Sequence, residues 1–108
     1  MISIELLSKV FGFKVVDVKN PIGNLIIVYF DNDSDISYNI YELAHKCKKW
    51  AWDNGYEIVS LKNRVEVWDK SAENCLHTIT NLTQSDEVFD IFYDFKACQW
   101  ILDNKDKQ

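Results

Sequence analysis

Residues 31–42, with the sequence DNDSDISYNIYE, carry oxygen-bearing side chains at the spacing of a calcium-binding loop. The calcium loop of a helix–loop–helix site takes its ligands from positions 1, 3, 5, 7, 9 and 12. The residues at those positions are Asp31, Asp33, Asp35, Ser37, Asn39 and Glu42. The last position holds a carboxylate that could bind the ion through both oxygens. The spacing therefore makes a calcium-stabilised domain one hypothesis for this chain.

Two features of the same segment favour a solvated acidic turn instead. The sixth position needs the sharp bend that glycine permits, and it holds Ile36, whose β-branched side chain resists positive φ. The preceding run LIIVYF predicts a strand, whereas a calcium loop of this kind follows a helix. We therefore interpret the segment as a polar loop in which Asn39 caps the next helix. We expect no cofactor.

Aromatic side chains outside the predicted core stripes indicate a second kind of site. A helix that packs on a sheet needs only one apolar face, yet both long predicted helices carry aromatic residues elsewhere. These residues are Tyr41 and Trp52 on the first long helix, and Phe89, Tyr93 and Trp100 on the last. Trp and Tyr are favoured anchors of protein interfaces. We predict a protein-binding or homodimer surface here; the alternative is that other parts of the chain cover these rings.

The elements that must position these residues follow the predicted order α-β-β-α-β-β-β-α. Hairpin-spaced strands favour an α+β fold: a mainly antiparallel sheet of about five strands, with two long helices packed on one face. We expect a single domain over 1–108, in which 1–38 form a helix and a β-hairpin and 39–104 form an αβββα unit. The predicted helices are 2–10, 40–54 and 86–103, and the predicted strands are 13–19, 25–30, 56–61, 64–69 and 75–80.

The composition and the absence of known motifs argue against several classes of function. The 108 residues carry a net charge of −5, which argues against a nucleic-acid binder because phosphates need a basic surface. The three cysteines are widely spaced and predict reduced thiols in the cytoplasm. No apolar run has the length of a signal peptide or a membrane span, so we expect no membrane partner. No phosphate-binding or nucleophile motif is present, and we predict that the protein is not an enzyme.

Two stretches carry a resemblance to a known family: YELAHKCKKWAWDNGYEIVS and FKACQWILDN. Residues 39–104, which contain both, resemble small phage and prophage proteins with an αβββα unit, the phage ABA sandwich type. That resemblance implies a phage-derived accessory protein. We expect a small acidic protein that acts through protein contacts, as a modulator of a host protein. The αβββα order is also similar to the double-stranded RNA-binding domain, in which lysines at the start of the last helix meet phosphates. Here that start reads Ser85, Asp86 and Glu87, which would repel RNA. A nucleic-acid binder on this scaffold is the remaining alternative.

Overall fold

The computed structural model describes residues 2–80 and 87–107, with side chains for 2–80 and 91–106. Within these residues, three α-helices and six strands are followed by a single 3₁₀ turn, Lys105–Lys107. The helices are α1 (Ile4–Phe11), α2 (Ile40–Asp53) and α3 (Glu87–Asn104). The strands are β1 (Val15–Ile22), β2 (Leu25–Phe30), β3 (Asp35–Asn39), β4 (Tyr56–Ser60), β5 (Val65–Asp69) and β6 (Cys75–Ile79).

The six strands form two separate antiparallel sheets, in the orders β1-β2-β3 and β4-β5-β6. The α+β class is confirmed, but the predicted sheet of about five strands with two long helices on one face is wrong. The additional strand is β3, which lies in the segment predicted to be a loop. Its Ile36 and Tyr38 pair with Val28 and Ile26 of the central strand. The predicted αβββα order over 39–104 is observed as α2-β4-β5-β6-α3.

Two clusters of buried side chains form the core. The first brings α1, the first sheet, α2 and α3 together, and it includes Leu7, Val28 and Leu43, each of which is fully buried. The second lies between α2, α3 and the second sheet. Trp50 and Ile58 pack against both clusters, so the apolar interior continues from one sheet to the other.

Helices α2 and α3 end with the same local interaction. The side-chain amide of Asn54 donates to the carbonyl oxygen of Trp50 at 2.8 Å, and that of Asn104 donates to Trp100 at 2.8 Å. Each bond adds a side-chain donor to a carbonyl in the last turn of its helix, and the Trp50 carbonyl also accepts the backbone N–H of Asn54 at 3.1 Å. Each helix also follows a three-stranded meander, so the order β-β-β-α occurs twice in the described chain.

Candidate functional site

Near the C-terminal end of α1, the surface opens into a cleft of about 300 Å³. We call it the aromatic cleft, and it is lined by Phe11, Phe13, Phe30, Asp31, Asn32, Ser34, Ile36 and Tyr38. These residues belong to α1, to the turn after it and to the β2–β3 hairpin. Phe13 exposes 71% of its surface. The cleft therefore presents an aromatic surface to solvent, as sites that bind other molecules do.

The turn after α1 supplies two of the aromatic rings. Gly12 ends the helix with φ 74, a left-handed conformation that glycine adopts without strain, and its N–H donates to the carbonyl of Ser8 at 2.9 Å. The Ser8 hydroxyl also accepts the N–H of Val15 at 2.9 Å, which ties α1 to the first residue of β1. The short connection between these fixed points carries Phe13, while Phe11 lies in the last helical turn.

The β2–β3 hairpin supplies the opposite side of the cleft. The N–H of Phe30 donates to the carbonyl of Ser34 at 2.9 Å and closes the loop over 31–34. The Asn32 side-chain oxygen accepts the N–H of Ser34 at 3.1 Å, in the manner of an Asx turn. The N–H of Asp31 donates to the carbonyl of Lys14 at 3.2 Å and joins the loop to the chain entering β1.

The aromatic rings contact one another in favourable orientations. The Phe11 and Phe30 centroids are 5.6 Å apart with the ring planes at 83°, and those of Phe13 and Phe30 are 6.3 Å apart at 81°. Phe11 also contacts Tyr38, with 5.7 Å between centroids. Edge-to-face pairs of this kind stabilise each other beyond the area that they bury. The walls of the cleft are therefore held in place before any ligand binds.

The β2–β3 hairpin carries three aspartates, which we call the acidic rim, and of these only Asp31 belongs to the lining of the cleft. Asp33 and Asp35 are exposed on the same hairpin. Among the residues with described side chains, none of these three carboxylates forms a salt bridge. One cation of the chain does approach the cleft: Lys46 Nζ lies 5.2 Å from the centroid of Phe11. The site thus combines aromatic walls with negative charge that no nearby cation pairs.

The six oxygen-bearing residues of the predicted calcium loop are distributed over three elements. Residues 31–34 form the hairpin turn, residues 35–39 form β3, and Glu42 lies in the first turn of α2. Asn39 caps α2 as predicted, since its side chain accepts the N–H of Tyr41 at 2.9 Å. The segment therefore lacks the twelve-residue loop on which the calcium hypothesis depended. Within the described residues, no three His, Cys, Asp or Glu side chains are placed to hold a metal ion.

Of the aromatic residues predicted to form an interface, the pair on α2 is exposed. Tyr41 exposes 41% of its surface and Trp52 exposes 43%. Lys70 Nζ lies 4.6 Å from the centroid of Trp52 and shields one face of that ring. The pair is three helical turns apart on α2, and it remains a candidate contact surface separate from the cleft.

The α3 residues predicted for the same interface lie differently. Tyr93 and Trp100 are half-buried and pack against the second core cluster. Trp100 also stacks on His77, with 4.9 Å between centroids and 6° between planes, and Lys96 Nζ lies 5.0 Å from the centroid of Tyr93. Both rings therefore have partners within the chain. Phe89 and Ser85, which stands at the predicted start of the last helix, fall outside the residues whose side chains are described.

A polar cluster between α2, β4 and α3 has residue types that occur in nucleophilic catalysis. Lys48 Nζ lies 3.1 Å from Asp94 Oδ2 and donates to Ser60 Oγ at 2.9 Å. Ser60 in turn donates to Asp94 Oδ1 at 2.5 Å, and Asp94 is only 5% exposed. A serine–lysine nucleophile needs a neutral amine to accept the serine proton. Here the amine donates to serine and pairs with a carboxylate, so the cluster serves to join three elements.

The two buried cysteines are poorly suited to act as nucleophiles. Cys47 and Cys98 are fully buried, whereas Cys75 is exposed. The hydrogen bond with Cys47, together with burial, raises the pKa of the Cys98 thiol far above its usual range. A thiol with a raised pKa stays protonated at neutral pH and does not attack. The pair instead fills space in the core between α2 and α3.

Comparison of the chain with models of protein families, with curated proteins and with solved structures finds no match. Among the described helices, none has both the length and the hydropathy that crossing a membrane requires.

Sequence reasoning did not identify the aromatic cleft. Of the residues predicted to form sites, only Asp31 lines it. A local signal is present in Phe11-Gly12-Phe13, where two phenylalanines flank the glycine that ends a helix. That pattern shows that one ring must leave the helical face, but it does not show that Phe30 and Tyr38 meet it.

Proposed function

We propose that this protein is a non-catalytic binding protein that acts on another protein, and that the aromatic cleft is its docking site. One observation carries the proposal: four aromatic side chains form a cavity that is open to solvent, with Phe13 71% exposed. Burying apolar surface on association is favourable by about 25 cal/mol per Å², and aromatic residues are frequent interface anchors. The resemblance to small phage proteins implies an accessory protein, and we propose that its partner is a host protein.

The distribution of charge supports a protein partner over a nucleic acid. Four lysines on different segments of the chain lie over aromatic rings: Lys19, Lys46, Lys70 and Lys96. A nucleic-acid binder gathers its basic side chains on one face or along one groove. The net charge of −5 and the acidic rim of the cleft favour a partner with basic residues.

Photo-crosslinking from the cleft tests the proposal. Phe13 is replaced by p-benzoylphenylalanine, and the protein is irradiated in an extract of its source cells. A matched protein carries the same group at Tyr41, which is an exposed aromatic position on α2. We expect a defined protein adduct from position 13 only. Excess unlabelled wild type should compete with its formation, whereas excess Phe13→Ala protein should not.

Each other outcome has a distinct meaning. An adduct from position 41 alone would move the docking site to the α2 surface and overturn the proposal for the cleft. An adduct between two copies of this chain would support a homodimer, and light scattering would then show twice the mass. The absence of a competed adduct from either position would contradict the proposed function.

A further inference from the structure

We propose that the aromatic cleft recognises the ammonium group of a lysine side chain on the partner protein. The ammonium lies against the aromatic walls and beside the Asp31 carboxylate, while the aliphatic stem crosses Ile36 and Phe13. This inference rests on the proposed function, because it names the chemistry of the partner for the same cleft.

The aromatic walls are suited to a cation. An ammonium within about 6 Å of a ring centroid is attracted by the negative face of the ring. This chain uses that contact repeatedly, and Lys46 Nζ at 5.2 Å from Phe11 brings an ammonium to one of the cleft rings. Among the described residues, the rings of Phe13, Phe30 and Tyr38 carry no such lysine. Phe13, which exposes 71% of its surface, is available to a cation from another molecule, whereas Phe30 and Tyr38 also pack against the first core cluster.

The acidic rim selects the sign of the ligand charge. Asp31 is part of the cleft lining, and Asp33 and Asp35 are exposed on the same hairpin. An ammonium that enters the cleft gains attraction to the Asp31 carboxylate, whereas a phosphate or carboxylate ligand is repelled. The polar side chains of Asn32 and Ser34 also line the cleft, although the Ser34 hydroxyl donates to the side-chain oxygen of Asn32. The negative charge is therefore the main polar determinant.

The shape of the walls favours lysine over arginine. The rings of Phe11 and Phe13 stand at 83° and 81° to that of Phe30, so neighbouring walls meet at a corner. A flat guanidinium stacks on one ring at a time, whereas a compact ammonium can contact two perpendicular walls together. A cavity of about 300 Å³ also has room for the four-carbon stem, which buries its methylenes against apolar side chains.

Titration with matched peptides tests the inference on the purified protein. Three short Gly/Ser peptides carry one central lysine, N-trimethyllysine or norleucine, which has a similar stem without the charge. Amide shifts of Phe13, Asp31 and Ile36 are followed by ¹⁵N NMR. We expect both charged peptides to bind at the cleft, and the norleucine peptide to bind roughly fivefold more weakly or worse. Added salt should weaken only the charged peptides.

Two substitutions that each remove one negative charge distinguish the effect of Asp31 in the lining from that of a carboxylate elsewhere on the surface. Asp31→Asn should weaken the lysine peptide roughly threefold, because it removes the carboxylate in the lining. Asp53→Asn makes the same charge change on the exposed end of α2, outside the lining, and should leave binding unchanged. Both carboxylates are exposed, so neither change should unfold the protein.

Three results would overturn the inference. Binding of the norleucine peptide within about twofold of the lysine peptide would show an apolar cleft, with the proposed function intact. Choline chloride binding as tightly as the lysine peptide would show a site for a free small ammonium. No amide shift at the cleft with any probe at about 10 mM would exclude recognition of an ammonium group. Crosslinking from position 13 would still test the proposed function independently.

Discussion

Replacing Lys48 by methionine should destabilise the fold by about 2 kcal/mol, even though this side chain is 32% exposed. The ammonium lies 3.1 Å from Asp94 Oδ2, and at an effective dielectric constant of about 20 the attraction is roughly 5 kcal/mol. Desolvation of Asp94, whose side chain is 8% exposed, and solvent screening at Lys48 offset more than half of that. Methionine fills a similar volume, but among the residues with described side chains it leaves Ser60 as the remaining side-chain donor to the carboxylate.

Urea unfolding followed by tryptophan fluorescence measures this loss. The midpoint should fall with an unchanged m-value, and the melting temperature should drop by about 10 °C. Lys49→Met is the matched control, because Lys49 is the exposed neighbour on α2 and should cost less than about 0.5 kcal/mol. In a double-mutant cycle with Asp94→Asn, the two losses should fall short of additivity by about 1 kcal/mol. Equal stability of the two lysine variants, or strict additivity, would refute the reasoning.

Three further outcomes follow from the geometry. A thiol-reactive dye should label only Cys75 in the native protein and all three cysteines in denaturant, with the labels counted by mass spectrometry. Rapid labelling of every thiol in the native protein would contradict the burial of Cys47 and Cys98. The hydrogen bond from Asn74 lowers the pKa of Asp69 below 3.8. The stability that the charged Asp69 contributes to the fold is therefore present above that pH and disappears as the pH falls through the lowered pKa. The melting temperature of the Asp69→Asn variant, measured by circular dichroism, should therefore fall less than that of the wild type as the pH is lowered. An unchanged dependence of the melting temperature on pH would contradict this expectation. Trp100→Ala should cost about 2 kcal/mol in urea unfolding because the half-buried ring packs on the core and on His77, without changing the mass by light scattering. A mass that fell would instead indicate an interface.

Helix ends and one strand could be read from the sequence because their signals are local. Asn39 caps α2 as predicted, and α1 ends at Phe11, one residue beyond the predicted end, with Gly12 as its cap. Each of these positions depends only on a few neighbouring backbone groups. The apolar run at 25–30 matches β2 residue for residue. Patterns of this kind need no knowledge of distant contacts.

Strand β3 was missed because its composition resembles that of a loop. It is a short edge strand whose residues are mostly exposed, and three aspartates occur between 31 and 35. Alternation is nevertheless present, since Ile36 and Tyr38 line the cleft between polar neighbours. The predicted single sheet also assumed that consecutive hairpins join. Hairpin spacing indicates which strands pair locally, but it does not determine whether two meanders share an edge.

The aromatic cleft lay beyond sequence reasoning because it depends on where separate elements meet. Phe11, Phe30 and Tyr38 come from a helix and two strands, and none of them follows a motif. The sequence left open whether the aromatics of the long helices form an interface or are covered within the chain; Tyr93 and Trp100 are half-buried against the second sheet. Helical spacing shows which side chains share a face, whereas the cover on that face depends on tertiary packing.

The meander topology has a consequence for how the chain folds. Each described strand pairs only with its neighbours along the sequence, so both sheets close through short loops with a small entropy loss. Chains with such local pairing fold quickly, and we expect a folding time in the range of milliseconds. All residues of the aromatic cleft lie between positions 11 and 38. During synthesis they therefore emerge from the ribosome before any strand of the second sheet emerges.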